Sequence, residues 1–365
     1  MTIFGTRPEI IRLSRVLSRL DKYTNHITVH TGQSYDYEMS KIFFEELGVR
    51  KPNYFLDVKS ETLGGQLANI ILKSEEVIKK EKPDVLLVLG DTNSALSAVV
   101  AKRMRVPIVH MEAGNRSFDE NVPEETNRKI VDHIADLNLS YSENARQYLL
   151  REGIHPGKIF VTGSPLMEVI NFYKSEIEKS DILKKLKLKK EEYFVASLHR
   201  EENVDSKESL LKLIDSLNGV AEKYKMPILM STHPRTAKRL AEFKIKANKL
   251  INFHKPLGYF EYMNLQKNAF CVISDSGTIL EESSMLGFPA IQARVSSERP
   301  EGYDEGVTIL TGLDRDIVLQ AIEIIRGEIN EDINFNIPRD YQDTNVSSKV
   351  LRHILSLIGT LRKTK

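Results

Sequence analysis

The 365 residues contain one cysteine, Cys271, so no disulfide can form within the chain. Its apolar neighbours Phe270, Val272 and Ile273 make it a small core hydrophobe rather than a nucleophile, and such cysteine usage fits a reducing compartment. No apolar run approaches the length of a membrane span. The short apolar start, residues 1–4, meets Arg7 and Glu9 too soon for a signal peptide, so the expected location is the cytoplasm, with no membrane partner. Neither sign of charge is in excess: 52 Lys and Arg stand against 51 Asp and Glu, a net charge of +1, which excludes a general nucleic-acid or membrane-surface binder. None of the 19 glycines stands in a G-x-G arrangement, so the dinucleotide fingerprint is missing. There is no Walker A loop, no H-E-x-x-H, no cysteine cluster and no dense histidine grouping. Neither bound NAD nor a metal is expected.

What is present is a soluble composition, 41% hydrophobic and 28% charged, long enough for two domains. Short apolar runs alternate with helical spacing, the signature of parallel-sheet α/β architecture. Strands are predicted at 1–4, 26–31, 85–89, 106–111, 137–140 and 158–162, and again at 193–198, 227–232, 250–254, 270–274 and 290–293. Helical patterns separate them, among them 8–20, 93–103, 124–136 and 206–224, and a last helix covers 347–361. The charged run Lys184 to Glu192 is a solvated face and link. The expected domains are residues 1–172, residues 173–345, and a terminal helix, 346–365, packing back on the first. Two doubly wound domains of this kind place a ligand cleft between them, facing the carboxyl ends of the strands.

The chemistry-bearing residues follow predicted strands. Gly5-Thr6-Arg7-Pro8-Glu9 combines a tight turn with a helix start, whose free amides, with Arg7 and Arg12, suit an anion; a plain strand-to-helix turn explains the same letters. In Gly90-Asp91-Thr92-Asn93 the acid is either a catalytic carboxylate or a helix cap. Val109-His110-Met111-Glu112 puts Glu112 at the mouth of another strand, and Glu124 and Glu125 open a helix, where one of them serves only the helix dipole. Three carboxylates from separate loops can supply both an acid and a base. In the second half, His199 beside Arg200 is a phosphate ligand, a proton carrier or a surface histidine, and Thr232-His233-Pro234-Arg235 repeats the idea. Ser274-Asp275-Ser276-Gly277-Thr278 offers amides and hydroxyls to a diphosphate, and Glu281 and Glu282 one turn on can accept ribose hydroxyls. A capped helix remains the alternative. Arg299 supplies a further cation.

Taken in order, Gly5-Thr6-Arg7-Pro8-Glu9, Gly90-Asp91-Thr92, Glu112-Ala113-Gly114, Pro123-Glu124-Glu125-Thr126-Asn127-Arg128, His199-Arg200-Glu201, Asp275-Ser276-Gly277 and Glu298-Arg299-Pro300-Glu301 resemble the non-hydrolysing UDP-N-acetylglucosamine 2-epimerases over essentially the whole chain. The resemblance implies a GT-B-like fold of two Rossmann-like domains, usually a homodimer. It implies Asp91, Glu112, Glu124 and His199 as the catalytic set, and Arg7, Arg12, His199, Ser276, Gly277, Glu282 and Arg299 around UDP, with Tyr262 near the uracil. A glutamine common near the base is Leu257 here. The stretches Asn93-Ser94, Asn115 to Asp119, His199 to Asp205 and His30 to Glu38 look more like the UDP-N-acetyl-L-fucosamine synthase branch, which acts on UDP-2-acetamido-2,6-dideoxy-L-talose for capsule or O-antigen sugars. The loop residues of the family's allosteric UDP-GlcNAc site are poorly reproduced.

The hydrogen on carbon 2 of such a sugar is only feebly acidic. One route expels UDP while a base removes it, leaving a 2-acetamidoglycal to which UDP adds back. Cations and amides must then hold the departing diphosphate, and acids and bases must flank the ring. The rival readings are a UDP-GlcNAc/UDP-ManNAc 2-epimerase, a GT-B glycosyltransferase, a hydrolysing epimerase, and an inactive nucleotide-sugar-binding regulator.

Overall fold

The computed structural model describes residues 1–33, 37–198, 200–232 and 234–361, and of these the side chains of 37–40, 201, 202, 234 and 361 are set aside. The chain forms two compact units: Met1–Phe172 with Arg339–Lys365, and Tyr173–Pro338. Among the described residues no helix is long and apolar enough to cross a membrane.

The first unit is built on seven parallel strands: β1 (Thr2–Phe4), β2 (Thr28–His30), β3 (Tyr54–Phe55), β4 (Leu86–Leu89), β5 (Ile108–Met111), β6 (Leu137–Ser140) and β7 (Ile159–Val161), in the order β3-β2-β1-β4-β5-β6-β7. β4 reads Leu-Leu-Val-Leu and is buried along its whole length, as a strand covered on both faces by helices must be. Helix Arg7–Tyr23 carries Pro8 in its first turn, where a missing amide costs nothing, and buries Ile10, Leu13, Val16, Leu17 and Leu20. The order reverses between β1 and β4. At this switch point neighbouring crossovers leave to opposite faces, so the loops after β1 and β4 open a crevice at the strand ends.

The second unit repeats the plan with β8 (Phe194–Ser197), β9 (Ile228–Ser231), β10 (Ile251–His254), β11 (Cys271–Ser274), β12 (Ala290–Gln292) and β13 (Ile309–Leu310), in the order β10-β9-β8-β11-β12-β13. Its switch point lies between β8 and β11, which pair from Phe194↔Cys271 to Ser197↔Ser274. Cys271 is fully buried beside Phe194, Ile273 and Ile291, and burial pushes its thiol up to about 12, as expected of a core residue.

The chain returns to the first unit at Arg339 rather than at 346. The turn Arg339–Tyr341 already belongs there: Tyr341 is fully buried, and Ser164 donates its amide to the Asp340 carbonyl at 3.1 Å. Helix Val346–Leu361 then packs on helix Arg7–Tyr23. Strands β3 and β13 and helices Tyr37–Glu46 and Pro234–Glu242 have no counterpart among the sequence-predicted elements. Both strands are edge pieces of two residues, too short to show a period of two, and PRTAKRLAE is too polar to stand out as a buried helical face.

Candidate active site

In the first unit the switch point gathers most of the residues singled out there. Glu9 reaches back over its own helix start: its Oε2 accepts from the amides of Gly5 (3.1 Å) and Thr6 (2.9 Å) and the Thr6 hydroxyl (2.8 Å). The Thr92 hydroxyl, from the loop after β4, reaches the same oxygen at 3.2 Å. One buried acid therefore ties the two loops of the crevice together. Burial pushes the Glu9 carboxyl up to about 7, although the hydrogen bonds from Thr6, Gly5 and Thr92 pull the other way. Arg7 is half-buried, its guanidinium 5.8 Å from the centre of the Phe43 ring.

Asp91 does not cap a helix. The following turn is Asn93–Leu96, with Thr92 at its N-cap position, and the Asp91 carboxylate instead takes Nε (3.0 Å) and Nη2 (2.5 Å) of Arg128 on one oxygen. Its carbonyl accepts from Asn127 at 2.9 Å. Asp91 keeps 28% of its side chain exposed, so it is both fixed and reachable. Gly90 has φ +66 and is left-handed, which turns the chain sharply between β4 and Asp91. Glu112 leaves the end of β5 with φ +63, an uncommon conformation for a glutamate. Its Oε2 lies 3.9 Å from Nη1 of buried Arg12, whose guanidinium sits over the Tyr141 ring, and its Oε1 accepts from Asn115 at 3.3 Å.

Of the two glutamates that open helix Glu124–Ile134, Glu125 is the structural one. It is buried and accepts from the Ser117 amide (3.1 Å) and hydroxyl (2.9 Å) and from Arg128 (2.9 Å). Glu124 is half-buried in the same first turn. Asp91 and Glu112 thus stand at the ends of neighbouring strands, each with an arginine behind it.

In the second unit Asp275 is fully buried and joins the two switch-point loops, accepting from the Arg200 amide (3.0 Å) and Asn203 (3.2 Å). Ser276, Gly277 and Thr278 follow as a tight turn into helix Ile279–Leu286, the Ser276 and Thr278 hydroxyls 3.0 Å apart. A Cβ at Gly277 would come 2.3 Å from Oε1 of Glu298, so only glycine fits. Glu298 bridges two arginines: Arg200 donates to one oxygen and Arg294 to the other, both at 3.0 Å. Arg299 is buried and pairs with Glu281 at 3.3 Å, which commits that acid to the fold. Glu282, half-buried, accepts from Gln266 at 3.0 Å. Tyr262 lines a narrow cleft with Leu229, His254, Leu257 and Leu265. Burial raises the Tyr262 hydroxyl above its ordinary range, the charge of Glu282 adds to this, and a hydrogen bond with Ser197 opposes it.

His199, proposed for both catalysis and diphosphate binding, lies outside the described residues, as do His233 and Ser34 to Asp36. Sequence reasoning gave no role to Glu9 or Arg128, nor to the bridge from Arg200 through Glu298 to Arg294. The signal for Arg128 is weak, because its partner Asp91 is 37 residues away, and the Arg200–Glu298 pair spans 98.

A family model described as UDP-N-acetylglucosamine 2-epimerase matches residues 18–355. The structure of UDP-N-acetylglucosamine 2-epimerase from Rickettsia bellii is 46% identical, with a TM-score of 0.92 over 100% of this chain and 98% of that one. That of Methanocaldococcus jannaschii UDP-GlcNAc 2-epimerase, in complex with UDP-GlcNAc and UDP, is 39% identical, with a TM-score of 0.91 over 97% and 99%. The UDP-2,3-diacetamido-2,3-dideoxy-D-glucuronate 2-epimerase of Pseudomonas aeruginosa is 33% identical over 91% of this chain and 93% of its own. The fold, the strand-end carboxylates and these likenesses agree: the chain belongs to the UDP-N-acetylglucosamine 2-epimerase family and is an epimerase.

Proposed function

We propose that the protein inverts carbon 2 of a UDP-linked N-acetyl amino sugar by eliminating UDP and adding it back. The observation that carries this reading is the pair of carboxylates, Asp91 and Glu112, set at adjacent strand ends and backed by Arg128 and Arg12. One carboxylate takes the hydrogen from carbon 2, the electrons of that C–H bond form the C1=C2 double bond, and the C1–O bond breaks toward the diphosphate. The 2-acetamidoglycal then receives a proton on its opposite face at carbon 2 while the diphosphate oxygen reattacks carbon 1. Glu124, at the head of its helix, is the third proton-handling acid. The electrons end where they began, so the reaction calls for no nicotinamide, and the proton carriers call for no metal.

The second unit is the UDP holder. The Ser276-Gly277-Thr278 turn offers backbone amides and hydroxyls to the diphosphate, Arg299 adds positive charge, Glu282 takes ribose hydroxyls, and the cleft beside Tyr262 takes the uracil, while Arg7 and Arg12 join the UDP-binding set through the family resemblance alone. With Leu257 in that cleft, the base is gripped by apolar contact. His199 joins both sets through the family resemblance alone.

The names of relatives 39–46% identical support UDP-GlcNAc and UDP-ManNAc as the sugar pair. A second reading, UDP-2-acetamido-2,6-dideoxy-L-talose to UDP-N-acetyl-L-fucosamine, is favoured by Asn93-Ser94 and the Asn115 to Asp119 loop, which resemble that branch, and the diacetamido-glucuronate relative supports a family in which the sugar varies. The same resemblance supports a cytoplasmic homodimer that feeds capsule or O-antigen synthesis. Incubating the protein with each UDP-sugar separately and following carbon 2 by NMR decides: conversion of either establishes epimerisation and names the substrate. Release of free sugar, or stoichiometric UDP with transfer to an acceptor, rejects it in favour of a hydrolase or a glycosyltransferase.

A further inference from the structure

We propose that His110 is a positioning residue for this epimerisation: its ring carries hydrogen on both nitrogens and holds the Gly90 carbonyl, and with it the turn that presents Asp91. The inference rests on reading Asp91 and Glu112 as the proton carriers.

His110 lies within β5 and is fully buried. Its Nε2 is 2.8 Å from the Gly90 carbonyl oxygen and its Nδ1 is 2.8 Å from Oδ1 of Asp132. A carbonyl oxygen only accepts, so Nε2 must donate. Asp132 is surrounded by donors: the Gly114 amide reaches its two oxygens at 3.3 and 3.2 Å, and Arg116 reaches Oδ2 at 2.7 Å. Arg116 is a full cation in direct contact with Oδ2, which favours the ionised carboxylate. Asp132 is therefore an ionised acceptor, and Nδ1 must donate as well. A neutral ring has one N–H and would turn a bare nitrogen lone pair on an oxygen 2.8 Å away.

Asp132 faces the ring from helix Glu124–Ile134 and Arg116 from the loop after β5 through Asp132, while neutral Asn138 pairs with it from β6. Arg116 is gripped by both oxygens of Glu152 at 2.7 and 2.6 Å, and His133 stands 3.9 Å from Glu152. Arg116 and Asp132 are both buried and pair at 2.7 Å, while Glu152 meets the other side of Arg116 from a solvent-exposed position.

Through Nε2 the ring grips one residue. Gly90 donates its amide to the Met111 carbonyl at 2.9 Å and gives its own carbonyl to His110. The turn leading to Asp91 is thus clamped on both sides to the strand that ends in Glu112. Without the second contact, Asp91 is steered only by Arg128 and Asn127 from a separate helix. His110 touches no reacting atom; it acts through Gly90.

Two measurements test this. Nitrogen-15 NMR of the histidine rings in the unaltered protein, with the resonances of this buried, slowly exchanging ring, should show both nitrogens bearing hydrogen at about pH 7. One unprotonated nitrogen there overturns the proposal. H110Q keeps an amide donor near the position of Nε2, and H110N keeps one near Nδ1. The kcat of H110N should therefore fall about tenfold further than that of H110Q, at closely similar KM and equal folded fraction. Equal losses, or losses that simply track melting temperature, mark a merely structural histidine. A neutral ring in an active epimerase sinks the positioning role alone, whereas a doubly protonated ring in a chain without epimerase activity sinks the functional reading.

Discussion

Arg128 sets two donors on one oxygen of Asp91, Nε at 3.0 Å and Nη2 at 2.5 Å, and gives Nη1 to Glu125 at 2.9 Å. One buried guanidinium thus joins the acid proposed for proton transfer to a structural one. The former stays partly open to solvent; the latter does not.

Removing the charge of Asp91 should damage chemistry more than folding. D91N keeps the size of the side chain and an acceptor for Arg128, and its kcat is expected to fall about 100- to 10,000-fold, as when a general acid or base is lost. Steady-state epimerisation beside a denaturation curve checks it. Unchanged turnover would remove Asp91 from the proton-handling set.

R128A has the opposite profile. It strips the guanidinium from buried Glu125 and from Asp91 together, so the unit should lose about 3 kcal/mol of stability, the range for breaking a buried pair from one side. Urea unfolding of the variant against the parent protein measures this directly.

G277A addresses the diphosphate turn. The new methyl would sit 2.3 Å from Glu298 Oε1, and that carboxylate is held on both sides by Arg200 and Arg294, so it cannot swing away freely. UDP affinity should drop about tenfold, or about 1.4 kcal/mol, in calorimetry. An undiminished affinity would move the diphosphate elsewhere.

Glu9 gives the first unit a pH dependence of known sign. Burial pushes its carboxyl up to about 7 in the folded protein, against 4.5 for an ordinary glutamate. Below 4.5 both states hold the proton; between 4.5 and 7 the unfolded chain has lost it and the folded chain has not, so stability falls as pH rises. The fall should total about 3 kcal/mol and level off above the folded value. E9Q, a neutral mimic of the protonated acid, should lack it, so the stability difference between the two proteins narrows or widens across that window and is flat outside it.

Much of the fold was legible in the sequence, because a parallel strand buried on both faces needs an unbroken apolar run. Leu86–Leu89 and Ile108–Met111 show such runs, and the loops that follow them are where a doubly wound sheet puts its chemistry. The pairings were not legible. Nothing in the spacing ties Asp91 to Arg128, Glu9 to Thr92 or Glu298 to Arg200, because these contacts are made by the strand order, which brings β4 beside β1 and β11 beside β8. Asp91 was open to two readings, catalytic carboxylate or cap, and the direction of its side chain toward Arg128 removes the cap. Edge strands such as Tyr54–Phe55 stayed hidden because two residues carry no period.

The elimination route is tested most directly by running the epimerisation to partial conversion in deuterated water and reading carbon 2 of the product by NMR. Proton removal by a solvent-exchanging carboxylate, followed by return on the other face, predicts a deuteron at carbon 2 of essentially every product molecule. Product formed with its original hydrogen still at carbon 2 would contradict it.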